Sequence, residues 1–408
     1  MSMLQTLRSV LRFRGLERDR VKRRLSRVAN VDDLRAIAER RLPGGVFDYI
    51  DGGAEDERTL RNNVAAFARI ELRPRVLRDV SHIDTSTTVL GRKLPAPLIL
   101  APTGFTRIAC PDGELAVARA AARAGLPYTL ATLSTRSIEE VAHASSGPKW
   151  FQVYVWRDRE LVRAMLDRAR TAGFEAIMVT VDTAVLGRRE RDVRRGFTLP
   201  PKIGLDTLID GARHPGWTWA FARADPIVFA NVATSAESGI SDGRDPVTLS
   251  DYIGEQFDPA LSWDSLAWFR SVWEGPILLK GVQTVDDARL AVEHGIDAVI
   301  LSNHGGRQLD GAPAPIDLVA PVADAVGGET TIICDGGVRR GSDIVKALAL
   351  GADACMIGRP YLYGLAAAGG EAGVDLVLDL LQGGMRQTMA LLGAADLAAL
   401  GPELVRTT

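Results

Sequence analysis

The chain has 408 residues, of which 46% are hydrophobic, 25% charged and 6% aromatic, and its 49 basic and 51 acidic side chains nearly cancel. This composition is typical of a globular protein with a large core, and it excludes a fibrous or disordered chain. The charge balance gives no overall field for a polyanion, so we expect no nucleic-acid partner. Three scattered cysteines without metal-ligand spacing predict no disulfide framework and no metal site, and favour a cytoplasmic location.

The N-terminal part of the chain precedes the main repeating pattern. Residues 1–27 form a basic arm with nine basic and two acidic side chains, which suits an anionic lipid surface. A solvated helix at a subunit contact explains the same charges. Helical patterns follow at 31–41, 45–52 and 54–68, and an extended stretch then runs to about residue 96. We predict that this region caps one end of the fold.

Eight short apolar runs, each followed by a helical pattern, organise the rest of the chain. Continuous hydrophobicity is expected of parallel strands that are covered by helices on the outside. Eight such β-then-α units predict a closed TIM (β/α)₈ barrel, with an open doubly wound sheet as the competing architecture. The runs span residues 97–104, 127–133, 149–155, 175–182, 276–281, 298–303, 331–337 and 354–359.

About 80 residues separate the fourth and fifth runs, so we predict an insert after strand 4 at about residues 183–262. Loops this long in a compact domain are usually functional, and we interpret this one as an active-site lid or an interaction loop. The barrel domain then spans residues 28–395, and residues 396–408 form a C-terminal tail. The insert carries the aromatic residues Trp217, Trp219, Phe221 and Phe229.

The sharpest motif, SNHGGRQLD, follows the sixth strand. In it, His304 is suited to act as a base near neutral pH, and Arg307 to hold a carboxylate through a bidentate pair. Asp182 ends the fourth strand and would orient the histidine, while Arg188 or Arg189 just beyond it would be a second arm for the carboxylate. Strand ends meet at one mouth of a barrel, so we expect these groups to lie together. The alternatives are a hydrogen-bonded loop histidine and a solvated charge run.

Glycine-rich motifs end the last two strands. CDGGVRRGSD and MIGRP expose backbone amides at the strand pair whose loops commonly bind phosphate in a barrel. Neither a Walker loop nor a Rossmann fingerprint is present, so nucleoside triphosphate chemistry and a dinucleotide site are unsupported. Lys280 ends the fifth strand, where its ammonium suits a reducible ring that becomes negative, with Schiff-base chemistry as the alternative. Gln152, Tyr154 and Tyr49 add hydrogen-bonding groups.

Together and in this order, the motifs resemble those of the FMN-dependent α-hydroxy acid dehydrogenase and oxidase family. FDYIDGGAED, APTG, FQVYV, TVDT, LGRR, LLKG, SNHGGRQLD, DGGVRRG and IGRP occur in the family's order and spacing, from about residue 28 to residue 395. The resemblance implies a TIM barrel that holds FMN at its mouth and oxidises a 2-hydroxy acid. The FMN contacts that it implies are Ala101, Pro102, Thr103, Thr132, Gln152, Thr180, Lys280, Ser302, Asp335, Gly337, Arg339, Gly358 and Arg359.

The resemblance also implies roles around the substrate. Tyr49, Arg189 and Arg307 hold the carboxylate, and His304 is the base, supported by Asp182. Whether the base takes its proton from the carbon or from the hydroxyl stays open.

Four further positions complete the implied site. Tyr154 bonds the hydroxyl region of the substrate, and Lys280 stabilises negative charge on the reduced ring. Gly104 and Leu133 stand where glycolate oxidases carry a larger residue and a tryptophan. These departures open the side-chain end of the pocket toward lactate or a bulkier aryl acid.

The HPGWTW stretch resembles the insert of respiratory lactate and mandelate dehydrogenases. We therefore expect oxidation of L-lactate to pyruvate with electrons passed to quinone, in a homotetramer or larger assembly, peripheral on the inner face of the cell membrane. The alternatives are a mandelate-type aryl hydroxy acid dehydrogenase and an oxygen-using hydroxy acid oxidase. Outside this family, an unrelated phosphate-binding barrel and a non-catalytic flavin scaffold are the competing interpretations.

Overall fold

The computed structural model describes residues 17–195, 204–233 and 256–407. Residues 1–16, which are most of the predicted basic arm, lie outside the described residues, as do two stretches of the predicted insert, 196–203 and 234–255. Among the described helices, none combines the length and the apolar character needed to cross a bilayer.

Eight parallel strands close into a barrel in the order β10-β11-β4-β5-β6-β7-β8-β9, which confirms the predicted TIM barrel. Five of these strands are buried at every position, because helices cover the outside of the barrel and side chains fill its interior. The strands are β1 (Ile70–Leu72), β2 (Thr87–Val89), β3 (Arg92–Leu94), β4 (Leu98–Leu100), β5 (Tyr128–Leu130), β6 (Lys149–Tyr154), β7 (Ala176–Thr180), β8 (Ile277–Val282), β9 (Ala298–Leu301), β10 (Thr331–Asp335), β11 (Ala354–Ile357) and β12 (Val405–Thr407).

The helices connect the strands and cover the barrel. In the described part of the chain they are α1 (Arg20–Leu25), α2 (Val31–Arg41), α3 (Gly44–Asp51), α4 (Arg58–Ala68), α5 (Glu114–Arg123), α6 (Ile138–Ala144), α7 (Arg159–Thr171), α8 (Glu190–Arg194), α9 (Leu205–Arg213), α10 (Pro215–Arg223), α11 (Ala230–Ala233), α12 (Leu266–Val272), α13 (Val285–Glu293), α14 (Pro315–Val326), α15 (Gly341–Ala349), α16 (Arg359–Ala368) and α17 (Glu371–Leu392).

The N-terminal region contributes to both ends of the barrel. The β2-β3 hairpin places Val89 and Leu94 in the same buried cluster as the inward-facing Ile99 and Met178, which closes the N-terminal end. At the other end, Tyr49 of α3 reaches the mouth. The C-terminal end of the barrel is thereby left as the open end.

Direct hydrogen bonds attach the insert to the barrel. The buried Arg107 donates to the carbonyls of Asp225 and Pro226, at 2.6 and 3.2 Å. The indole Nε1 of Trp217 donates to the carbonyl of Ile108 at 2.7 Å. These bonds hold the described part of the insert against the loop that follows β4.

The C-terminal segment returns to the body of the protein. Residues 396–408, which the sequence predicts as a tail, include β12, and this strand pairs antiparallel with β1. Its Val405 is buried.

Candidate active site

A cavity opens where the barrel strands end, and each of the eight strands contributes residues to its lining, either from its C-terminal part or from the loop that follows it. The mouth therefore gathers side chains that are far apart in sequence, as the barrel topology requires. The predicted site residues that line it are Tyr49, Ala101, Pro102, Thr103, Gly104, Gln152, Tyr154, Thr180, Arg189, Lys280, His304, Arg307, Asp335, Gly337, Arg339, Gly358 and Arg359.

Three predicted residues lie behind this lining and orient it. Thr132 holds Gln152 through two hydrogen bonds, one from its backbone N–H to Oε1 and one from its Oγ1 to the backbone carbonyl. Ser302 Oγ accepts from Lys280 and donates to Asp335, and Asp182 contacts His304. Thr132 and Ser302, which were predicted to contact the cofactor, are fully buried at strand ends and do not line the cavity themselves.

His304 and Asp182 form a close pair at the mouth. The Nδ1 atom of His304 lies 3.0 Å from Asp182 Oδ1, so Nε2 is the ring nitrogen available to a ligand in the cavity. Burial opposes ionisation of the carboxyl of Asp182, but the charge and hydrogen bond of His304 outweigh it and lower the pKa of Asp182. The carboxylate therefore stays ionised and favours the tautomer with a proton on Nδ1.

Two arginines share the aromatic ring of Tyr49. The guanidinium carbons of Arg307 and Arg189 lie 5.0 and 5.7 Å from its ring centre. Arg307 Nη1 donates to the carbonyls of Tyr49 and Gly52, at 2.7 and 3.1 Å. Burial and then the charge of Arg189 lower the pKa of Arg307 to about 9. An anion between the two guanidiniums would compensate their buried and mutually repelling charges, so the pair suits a carboxylate.

Lys280 keeps its charge inside the barrel. Its Nζ lies 2.9 Å from Ser302 Oγ and 2.9 Å from Asp335 Oδ2. Burial alone would lower the pKa of Lys280, but the charges of Asp335 and Asp182 outweigh it and raise the pKa. A Schiff base needs a neutral amine, so this environment disfavours the Schiff-base alternative and suits the stabilisation of negative charge.

Two further arginines, Arg339 and Arg359, line the cavity in the glycine-rich segments that follow β10 and β11. Arg359 donates to the carbonyls of Ile50, Gly52 and Gly305. Burial lowers the pKa of Arg359, and the charge of Arg339 lowers it further. Two guanidiniums whose hydrogen bonds go to neutral carbonyls fit a phosphate group.

Sequence reasoning missed several residues of the mouth. Phe257, at the end of the insert, packs against Tyr154 with ring centres 5.2 Å apart and lines the cavity beside Leu186 and Phe105. Gln308 ties two loops together, since Nε2 donates to the carbonyls of Asp182 and Val185 and Oε1 accepts from Gly187. Gln308 stands within SNHGGRQLD, and that motif was the one available signal.

Comparison with known proteins places the chain in a family. The sequence profile of the family described as FMN-dependent dehydrogenase matches residues 38–407. The chain belongs to this family. FMN is therefore its cofactor, and a hydroxy acid is the substrate that the family implies.

The most similar proteins include dehydrogenases and oxidases. The L-lactate dehydrogenase of Pectobacterium atrosepticum is 45% identical over 381 residues, which cover 92% of this chain and 96% of the relative. Glycolate oxidase 5 of Oryza sativa subsp. japonica is 45% identical over 374 residues, with 92% and 94% covered. The crystal structure of the monotopic membrane protein (S)-mandelate dehydrogenase matches with a TM-score of 0.89 at 40% identity, covering 94% of this chain and 100% of that one.

The residues at the mouth fit FMN. Lys280 would provide a buried cation for the ring, and Arg339 and Arg359 would provide charge for the phosphate. Gly337 has a φ of +85°, and a Cβ there would lie 1.9 Å from the carbonyl oxygen of Asn63. The loop after β10 therefore reaches its position in the lining of the cavity only with glycine at 337.

We predict that Gly337→Ala weakens FMN binding at least about tenfold, because the added methyl forces the loop away from Asn63. Fluorescence titration of FMN into the apoprotein measures the affinity, with circular dichroism to check the fold. Gly311→Ala is the matched control, since Gly311 has a φ of +90° but no atom within 4 Å of the added Cβ. Equal FMN affinity in the two variants would contradict the assignment of this loop.

Proposed function

We propose that the protein oxidises L-lactate to pyruvate and passes the electrons to a quinone. The observation that carries the proposal is the proximity, in one cavity, of a carboxylate-supported histidine and two arginines over one tyrosine ring. The relatives named L-lactate dehydrogenase, at about 45% identity, support lactate as the substrate.

The reaction removes two electrons and two protons from the hydroxy acid, and FMN supplies the electron acceptor when bound. Arg189 and Arg307 hold the carboxylate and so fix the orientation of the carbon that is oxidised. His304 Nε2 takes a proton from the substrate, and the negative charge of Asp182 stabilises the imidazolium that results.

Tyr154 completes the arrangement around the hydroxyl group. Burial and the charge of Asp182 raise the pKa of Tyr154 well above its ordinary value, so its hydroxyl stays protonated. It can then donate a hydrogen bond to the oxygen of the substrate. This bond strengthens as the oxygen gains negative charge during proton removal.

The side-chain end of the cavity favours a second candidate substrate, an aryl hydroxy acid of the mandelate type. Phe105 and Phe229 lie with ring centres 5.5 Å apart at this end, and Phe257 and Leu133 also line it. Gly104 also lines the cavity, and as a glycine it leaves space that a larger residue would fill. An aromatic wall of this kind suits a phenyl group as well as a methyl group.

An anaerobic experiment tests the proposal. The purified holoenzyme is mixed separately with L-lactate, D-lactate and L-mandelate, and bleaching of the flavin absorbance is followed before a quinone analogue or air is admitted. We expect rapid bleaching by L-lactate, none by D-lactate, and reoxidation mainly by the quinone. His304→Asn is the control, and bleaching should slow by about 10²- to 10⁴-fold while FMN stays bound.

The other outcomes separate the alternatives. Bleaching by mandelate alone would replace lactate with the aryl acid. Fast reoxidation by air with peroxide formed would replace the quinone with oxygen. A His304→Asn variant that bleaches at the normal rate would contradict the assignment of the base.

We also propose that the insert contacts an anionic membrane surface. Helices α9 and α10 expose Leu208, Ile209, Trp219 and Phe221, with relative exposures between 42% and 62%. Arg223 lies over the ring of Trp219, and such pairs of apolar and basic groups are typical of interfacial helices. The bonds of Arg107 and Trp217 hold this surface to the barrel. The similarity to a monotopic membrane dehydrogenase supports the proposal.

We predict that the double variant Leu208→Ser, Trp219→Ser loses at least about tenfold in partitioning to vesicles that contain anionic lipid, because each buried apolar side chain contributes about 1.5–3 kcal/mol. Co-sedimentation measures the bound fraction. Leu391→Ser is the control, since Leu391 is 71% exposed but lies on α17. Equal loss in control and double variant would refute a specific role for the insert.

A further inference from the structure

The short helix α8 carries a substrate contact but has no apolar anchor. Arg189 is its N-cap residue and lines the cavity, and none of the residues of α8 is buried. A five-residue helix is not stable on its own. The position of Arg189 must therefore depend on polar contacts between α8 and the rest of the protein.

Arg191 makes the strongest of these contacts, with the carboxylates of Asp51 in α3 and of Glu57, which directly precedes α4. Its Nη1 lies 3.0 Å from Asp51 Oδ2, and its Nη2 lies 2.5 Å from Glu57 Oε2. Asp48 is also near, with Oδ1 at 3.6 Å from Nη1. The side chains of Asp51 and Glu57 are only 6% and 12% exposed, so water screens these pairs weakly.

The same helix α3 carries the other half of the substrate contact. Tyr49 stands two residues before Asp51, and its ring lies beneath both Arg189 and Arg307. The Asp51–Arg191 pair thus joins the helix of Tyr49 to the helix of Arg189. Arg191 and Asp51 themselves do not line the cavity.

The carboxylates have other partners, so the fold does not depend on Arg191. Arg35 binds Asp51 through two hydrogen bonds of 2.6 and 2.7 Å, and the hydroxyl of Tyr363 donates to Asp51 at 2.7 Å. Glu57 accepts from the backbone N–H of Gly53. Removing Arg191 therefore leaves no buried carboxylate without a partner, which is the usual cause of severe destabilisation.

We propose that Arg191 is a positioning residue that holds Arg189 at the distance from Tyr49 that one carboxylate requires. The inference rests on the proposed function, because it assigns Arg189 and Tyr49 to the substrate carboxylate. Arg191 acts on substrate affinity through α8 and takes no part in proton or electron transfer. Its loss should therefore affect KM more than kcat.

The test uses three variants of the holoenzyme with L-lactate and a dye as acceptor. Arg191→Met should raise KM about tenfold or more with kcat within about threefold, and Arg191→Lys should recover part of the loss because it keeps the charge. Arg194→Met is the matched control and should match the parent enzyme. Arg194 is on the same helix, is 70% exposed and, among the described residues, pairs with Glu190 of its own helix.

Hydrogen exchange provides a readout that is independent of catalysis. The amides of Val193 and Arg195, which bond to the carbonyls of Arg189 and Arg191, should exchange faster in Arg191→Met than in Arg194→Met. If Arg191→Met does not fold, Arg191→Lys with both readouts still decides the question.

Two results would overturn the proposal: an unchanged KM and unchanged exchange in both Arg191 variants, or equal effects in Arg194→Met. If the parent enzyme oxidises no hydroxy acid, the proposed function fails instead. Exchange at α8 then still decides whether Arg191 holds the helix.

Discussion

Buried positive charge at the C-terminal end of the barrel is the constraint on which the rest of the site depends. Arg307 and Arg359 direct their hydrogen bonds to backbone carbonyls, which are neutral, and burial lowers the pKa of both. A buried charge costs several kcal/mol unless an opposite charge compensates it. The cavity therefore favours ligands that carry anionic groups, and a flavin phosphate and a substrate carboxylate meet that requirement.

Carboxylates compensate other cationic groups at the mouth. Asp182 contacts His304, and Asp335 contacts Lys280. These pairs keep Lys280 charged and His304 oriented. The same principle extends outward, where Asp51 links α2, α3, α8 and α16 through Arg35, Arg191 and Tyr363.

The sequence alone was sufficient to predict the barrel, because strands buried on both faces leave continuous apolar runs that need no knowledge of their partners. It also predicted the polar residues that end those strands. The start of α4 was misplaced, at residue 54 rather than Arg58, because Glu55 and Glu57 adopt positive φ values that helical periodicity does not reveal. The contacts of Phe257 with Tyr154 and of Arg191 with Asp51 were not predicted. In each pair one residue lies in the insert and the other outside it, and no regular sequence spacing relates the two.

The affinity of the holoenzyme for oxalate, a small dianion, tests whether the buried arginines form a carboxylate site. Isothermal titration at neutral pH compares the parent enzyme with Arg307→Lys, which keeps the charge but loses the planar fork that binds both oxygens of a carboxylate. We predict tight binding by the parent enzyme and binding at least about tenfold weaker by the variant. Equal affinities, or no binding by the parent enzyme, would contradict a carboxylate site built on Arg307.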